Sequence, residues 1–125
     1  MRIFLGESDR CEEGQYEGRP LYEAILQTLR DRGFAGATVV RGVAGFGAAA
    51  RMHTGKILRL SGDLPVIVEV VEREEIIRTV LPELDRMIGG GLVTLERVRV
   101  ILYRPEKTAG DERWDQRVEG LEAED

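Results

Sequence analysis

The sequence has little cysteine and no long hydrophobic segment. Cys11 is the only cysteine, so the chain cannot form an internal disulfide, which is typical of proteins in a reducing compartment. No apolar run approaches the ~20 residues needed to cross a bilayer. The apolar start of the chain, Met1 to Gly6, is too short for a signal peptide and is typical of a buried strand. We therefore expect a cytoplasmic protein.

Negative charge is absent from the middle of the chain. Neither Asp nor Glu occurs in the 31 residues between Asp31 and Asp63, although 33% of all residues are charged. Residues 105–125 have eight acids against three bases, and this difference of five equals the net charge of −5. We expect the acidic tail to be flexible and to disfavour nucleic acid as a partner, because it repels phosphate backbones. The acid-free stretch contains these basic residues and the only histidine: Arg32, Arg41, Arg51, His53, Lys56 and Arg59.

Hydrophobic periodicity predicts one domain with the order β-α-β-flap-β-α-β. Helices starting near residues 20 and 72 would each connect two parallel strands with a third strand between them. The result is an α+β domain, a four-stranded antiparallel sheet with both helices on one face. Pro82 lies inside the second helix and predicts a kink or two short helices. The four strands of the sheet are predicted over 2–6, 37–43, 64–71 and 92–103, with the flap at 44–55 and a further short strand possible at 56–60.

Three glycines follow the second predicted strand: Gly42, Gly45 and Gly47. They could simply form a bulged strand end and a turn. Glycine also lets a ligand approach the backbone, whose amides can then bind an anion. The neighbouring bases and the missing acids favour the anion site.

Metal-binding and catalytic chemistry have less support. Zinc sites need three or four nitrogen or sulfur ligands, which one histidine and one cysteine cannot supply within one chain. The carboxylates of Glu7 and Asp9 lie in a polar loop typical of solvated surface. Glu69 differs, because it lies within an apolar strand and is expected to pair with a base from a neighbouring strand, such as Arg97 or Arg99. We predict no catalytic residues and no metal site.

Five segments of the chain are distinctive: Gly6–Asp9, Pro20–Ile25, Gly36–Gly47, His53–Thr54 and Leu64–Val66. They resemble the uncharacterised PII-like family called domain of unknown function 190. The likeness covers about residues 1–104, the predicted PII-like domain, and leaves 105–125 as the acidic tail. It implies a ferredoxin-like βαββαβ fold and a homotrimer whose sheets pack around a threefold axis.

The resemblance also implies a function. PII proteins bind adenine nucleotides in clefts between subunits and move a long loop that contacts a partner. Their loop base carries a Gly-Phe-Gly that residues 45–47 match, so residues 48–55 would be the effector loop. Where PII proteins have a phosphate-binding lysine, this chain has Gly89-Gly90-Gly91, which argues against a triphosphate and leaves AMP or ADP. Family members are often encoded beside small fluoride-channel proteins, which suggests a transport-related membrane partner.

The leading hypothesis is a non-catalytic regulator that binds an anionic ligand, an adenine nucleotide first of all, between subunits. One alternative is a small phosphate-handling enzyme with an Arg-rich pocket and Glu7 or Asp9 as acid–base. Another is a trimeric scaffold without a ligand. The predicted ligand-binding residues are Arg41, Gly42, Gly45, Phe46, Gly47, Arg51, His53, Lys56 and Arg59.

Overall fold

The computed structural model describes residues 1–47 and 63–105. The strands form one sheet in the order β2-β3-β1-β4, and every neighbouring pair is antiparallel. The predicted ferredoxin-like α+β fold is confirmed. The predicted strand at 56–60 and the loop at 48–55 lie outside the described residues. The elements are β1 (Arg2–Gly6), α1 (Leu21–Asp31), β2 (Thr38–Arg41), β3 (Pro65–Glu69), α2 (Glu74–Met87) and β4 (Leu92–Thr94).

The core lies between the sheet and the two helices. Alternate residues of the central strands are buried, while the residues between them are partly or fully exposed. Because successive side chains of a strand point to opposite faces, this pattern places both helices on one face of the sheet. Side chains that are almost fully buried come from all four of these elements: Ile3, Val66 and Val68 from the strands, and Ile25, Leu29, Val80 and Leu84 from the helices.

The opposite face of the sheet carries a row of four apolar side chains, one from each strand. Val40 pairs in register with Ile67, Ile67 with Phe4, and Phe4 with Leu92. The ends of the row are the most open, with 44% of Val40 and 57% of Leu92 exposed. Phe4 and Ile67 in its centre are half-buried.

A second row on this face contains the ion pair of Glu69. Its Oε1 atom lies 3.3 Å from Nε of Arg2, the residue directly opposite it in register. The prediction that a neighbouring strand supplies a base to Glu69 is therefore confirmed. The base is Arg2 of β1, whereas Arg97 and Arg99 were expected, and those two lie beyond the end of β4.

The last strand is much shorter than predicted. β4 covers only Leu92–Thr94, and the alternating residues up to 103 lie outside any strand. The antiparallel register explains this: Leu92 faces Phe4 and Thr94 faces Arg2, where β1 begins. Alternation makes a strand only where a neighbour offers hydrogen bonds. The chain divides after Leu95 into two units, and the predicted domain boundary after Arg104 stays a prediction.

The second helix runs through Pro82 as one element, so the alternative of two short helices is wrong, and the predicted kink stays a prediction. Proline has no N–H, so Pro82 cannot donate to the carbonyl of Arg78 in the preceding turn. Arg32 lies at that turn: its Nη1 donates to the carbonyl oxygen of Thr79 at 3.1 Å, and its Nη2 lies 2.6 Å from Oε2 of Glu83.

Within the described residues, no helix has the length and apolar character needed to span a membrane.

The polar segment between β1 and α1 folds back on itself around Cys11. The backbone N–H of Cys11 donates to Arg19, and its carbonyl accepts from Gly18, both at 2.9 Å. The side chain is 3% exposed, and its Sγ donates to the carbonyl of Glu13 at 3.2 Å. Burial raises the pKa of the thiol, chiefly by desolvating the thiolate.

We expect the Cys11 thiol to react slowly in the folded protein. Its burial limits access, and its raised pKa reduces the thiolate that attacks disulfide reagents, so the rate with Ellman's reagent at pH 8 should be at least roughly tenfold lower than in urea. The chain has no other cysteine, so the absorbance change reports this residue alone. Equal rates in the folded and unfolded protein would contradict the described loop.

Candidate functional site

Three segments meet at one end of the sheet because their strands are antiparallel. Gly6, the last residue of β1, lies opposite Pro65, the first residue of β3. Arg41, the last residue of β2, lies opposite Val66. The segments that leave β1 and β2 therefore start on either side of the segment that enters β3.

Backbone hydrogen bonds attach both outgoing segments to residues 63–65. The N–H of Glu7 donates to the carbonyl of Leu64 at 2.9 Å, and the N–H of Gly42 donates to the carbonyl of Pro65 at 2.7 Å. The N–H of Ser8 donates to Oδ1 of Asp63 at 2.9 Å. These bonds set the positions from which the side chains of this edge project.

The glycines after β2 pack closely on the ring of Pro65. A Cβ atom on Gly42 would lie 2.6 Å from Cγ of Pro65, and one on Gly45 would lie 3.1 Å from the same atom. A Cβ on Gly47 would meet nothing within 4 Å among the described residues. Packing thus accounts for glycine at positions 42 and 45, as in the alternative in which these glycines only form a bulged strand end and a turn.

Arg41 and Glu7 form an ion pair across this edge. Nη2 of Arg41 lies 2.5 Å from Oε1 of Glu7, so the guanidinium donates a charge-assisted hydrogen bond to the carboxylate. The Arg41 side chain is 57% exposed and that of Glu7 is 29% exposed. The guanidinium is therefore both engaged by an anion of its own chain and accessible from solvent.

Two further carboxylates at this edge bind backbone amides. Oδ2 of Asp9 accepts from the N–H of Gly6 at 2.9 Å, and Asp63 accepts from Ser8. Both acids therefore hold the turn that follows β1. In the part of the chain that the structure describes, no three histidine, cysteine or acidic side chains are placed to hold a metal ion.

The described part of the predicted ligand site lies together at this edge. Arg41 ends β2, and Gly42, Gly45, Phe46 and Gly47 follow it. Phe46 is 76% exposed, which leaves an aromatic ring accessible beside the glycines. The remaining predicted site residues lie outside the described residues: Arg51, His53, Lys56 and Arg59.

Sequence reasoning did not identify Glu7 as the partner of Arg41. It assigned Glu7 only to the enzyme alternative, as acid–base, because 34 residues separate it from Arg41. The roles of Asp63 and Pro65 were also missed. One indication was present: Leu64-Pro65-Val66 and Gly6-Glu7-Ser8-Asp9 belong to the same resemblance as the glycine segment, and all three segments meet here.

Comparison with known proteins gives a family match over residues 1–100, to DUF190, described as "Uncharacterized ACR". A UPF0166 protein of Aquifex aeolicus is 39% identical over 101 residues, which are 81% of this chain and 90% of that protein. A UPF0166 protein of Methanocaldococcus jannaschii is 38% identical over 96 residues, 76% of this chain and 83% of its own length. Another from A. aeolicus is 38% identical over 100 residues, 80% of this chain and 93% of that one.

Gly42→Ala should destabilise the protein, whereas Gly47→Ala should not. The added methyl at position 42 meets the Pro65 ring, an overpacking that costs about 1–3 kcal/mol. At position 47 it has room, and the loss of unfolded-state freedom is worth about 0.4–1 kcal/mol if the backbone accepts alanine. Urea unfolding measures both free energies. Equal stability of the two variants would contradict the packing of Gly42 on Pro65.

Proposed function

This chain belongs to the DUF190 family, and from that premise we propose that it is a non-catalytic, PII-like regulatory protein. It binds an anionic ligand, an adenine nucleotide such as AMP or ADP, in clefts between the subunits of a homotrimer. Occupancy of the cleft changes the loop at 48–55, through which the protein acts on a partner, and a transport-related membrane protein is the partner we propose.

The guanidinium of Arg41 is the observation that carries the ligand proposal. It projects from the end of a strand, lies in hydrogen-bonding contact with a carboxylate, and exposes 57% of its side chain. Carboxylate and phosphate oxygens both accept guanidinium N–H groups, so a guanidinium placed to reach the carboxylate of Glu7 can bind a phosphate group in its stead. The accessible ring of Phe46, five residues further along, offers a surface on which a nucleobase can stack.

The row of apolar side chains on the helix-free face supports the trimer. Exposed apolar surface that continues across all four strands is typical of an interface. Val40 and Leu92, at the two ends of the row, expose 44% and 57% of their surface. Packing three copies of this face around a threefold axis would bury the row. The trimer would then present three symmetry-related copies of the edge that carries Arg41.

One observation favours a second candidate, the phosphate-handling enzyme. Glu7 lies beside the arginine that would bind the substrate, and a general base must lie within hydrogen-bond reach of the reacting group. Asp9 is less suited, because its carboxylate accepts the backbone N–H of Gly6. Conversion of AMP, ADP or ATP during prolonged incubation, lost in Glu7→Gln, would favour the enzyme over the sensor.

Arg41→Ala should weaken the binding of ADP at least tenfold. Hydrogen bonds to charged groups are worth about 1.5–3 kcal/mol, and the variant also leaves the negative charge of Glu7 unopposed. Arg78→Ala is the matched control, since Arg78 pairs with Glu74 on the surface of α2 with similar exposure. Isothermal titration with AMP, ADP, ATP and cyclic nucleotides gives the affinities. Absence of heat with the folded wild-type trimer for every nucleotide would refute the nucleotide proposal.

Phe4→Glu should dissociate the trimer, because it buries a charge in the centre of the apolar row. Val71→Glu is the control: Val71 is apolar and 58% exposed but lies outside the four strands. Sedimentation equilibrium should give three times the chain mass of 14.0 kDa for wild type and the control, and a lower mass for Phe4→Glu. Circular dichroism checks that each variant is folded. A wild-type monomer would rule out the trimer.

A further inference from the structure

We infer that Glu7 is an internal occupant of the anion position at Arg41, and that a bound ligand must displace it. The inference rests on the proposed function and adds a regulatory element to it. The observation behind it is the 2.5 Å contact between Nη2 of Arg41 and Oε1 of Glu7. A carboxylate in this contact occupies guanidinium donors that a phosphate would use, so the two are competitors for one side chain.

The competition is a property of the fold, because the backbones of both residues are held. Glu7 is fixed by its N–H bond to the carbonyl of Leu64 and by the next amide, that of Ser8, which donates to Asp63. Arg41 is the last residue of β2, and the amide after it donates to Pro65. The two side chains therefore project from fixed points on either side of one strand entrance.

The solvent exposure of the ion pair makes it weak enough for a ligand to displace. An ion pair with this much solvent access contributes little to stability, since water screens it and two side chains must be ordered to form it. A phosphate group carries more charge than a carboxylate and has more acceptor oxygens. The ligand can thus displace Glu7, but its apparent affinity is lowered by the contact it must break, as for any site whose competent state is only partly populated.

Release of Glu7 alters the surface charge beside Arg41 within the described residues. Glu7 belongs to the turn after β1, which continues through Asp9, whose carbonyl accepts the first N–H of α1 from Leu21 at 2.7 Å. A ligand at Arg41 therefore changes the charge presented by this turn: a carboxylate that was paired becomes free at the surface of the subunit.

The test compares the affinities of Glu7→Gln, Asp9→Asn and Arg41→Ala, and of the double variant Glu7→Gln/Arg41→Ala, for ADP, AMP, orthophosphate and pyrophosphate. Glu7→Gln should tighten ADP binding about threefold, the range expected for release of an exposed ion pair. Asp9→Asn removes the same charge from the same turn while keeping an oxygen acceptor for the Gly6 amide, and it should change the affinity much less. With Arg41→Ala in place, Glu7→Gln should give no gain.

Equal gains from Glu7→Gln and Asp9→Asn would overturn the inference, because they would show a general effect of negative charge. A gain that persists in the Arg41→Ala background would do so too. If Arg41→Ala weakens binding but Glu7→Gln leaves it unchanged, the proposed function survives and the displacement of Glu7 does not. If neither wild type nor any variant binds a nucleotide or a free phosphate, both fail. Tighter binding of orthophosphate than of AMP would identify free phosphate as the ligand.

Discussion

The antiparallel pairing of β3 with both β1 and β2 is the constraint on which the rest of the structure depends. It aligns Gly6 with Pro65 and Arg41 with Val66, so the segments leaving two strands meet at the entrance of the third. Residues far apart in the chain thereby share one edge. The same pairing places Val40, Ile67 and Phe4 in a single row on the face opposite the helices. The candidate ligand edge and the candidate interface thus both follow from one register.

The acid-free segment of the sequence has acidic neighbours in the fold. Residues 32–62 contain no acid, which made the segment a candidate site for an anion. In the fold, Glu7, the residue after β1, pairs with Arg41. Asp63 accepts a hydrogen bond from the amide of Ser8 nearby. Among the described residues of this edge, the charge of Arg41 is therefore offset by acids of the same chain. Under the proposed function, an anionic ligand replaces Glu7 at this edge, and its affinity depends on how firmly Glu7 is held.

The glycines after β2 have a packing role that is separate from the proposed binding role. Gly42 and Gly45 leave room for the Pro65 ring, which would explain glycine there even without a ligand, whereas Gly47 has no such neighbour among the described residues. The anion-site interpretation of this segment is therefore strongest at Arg41 and Gly47 and weakest at Gly42. The family match covers residues 1–100, and the geometry of the edge identifies Arg41 and Glu7 as the side chains to test.

Local sequence determined the elements, because periodicity and breakers act over a few residues. Leu21–Asp31 and Glu74–Met87 are helices, and Arg2–Gly6 is a strand, where the apolar spacing predicted them. The extent of β4 was decided only by the tertiary structure, since alternation continues to residue 103 while partners on β1 stop at Arg2. The partners of Glu69 and Arg41 were decided there as well. Ion pairs between strands depend on register, and register is set by the hydrogen bonds and packing of the whole sheet, which no stretch of sequence contains by itself.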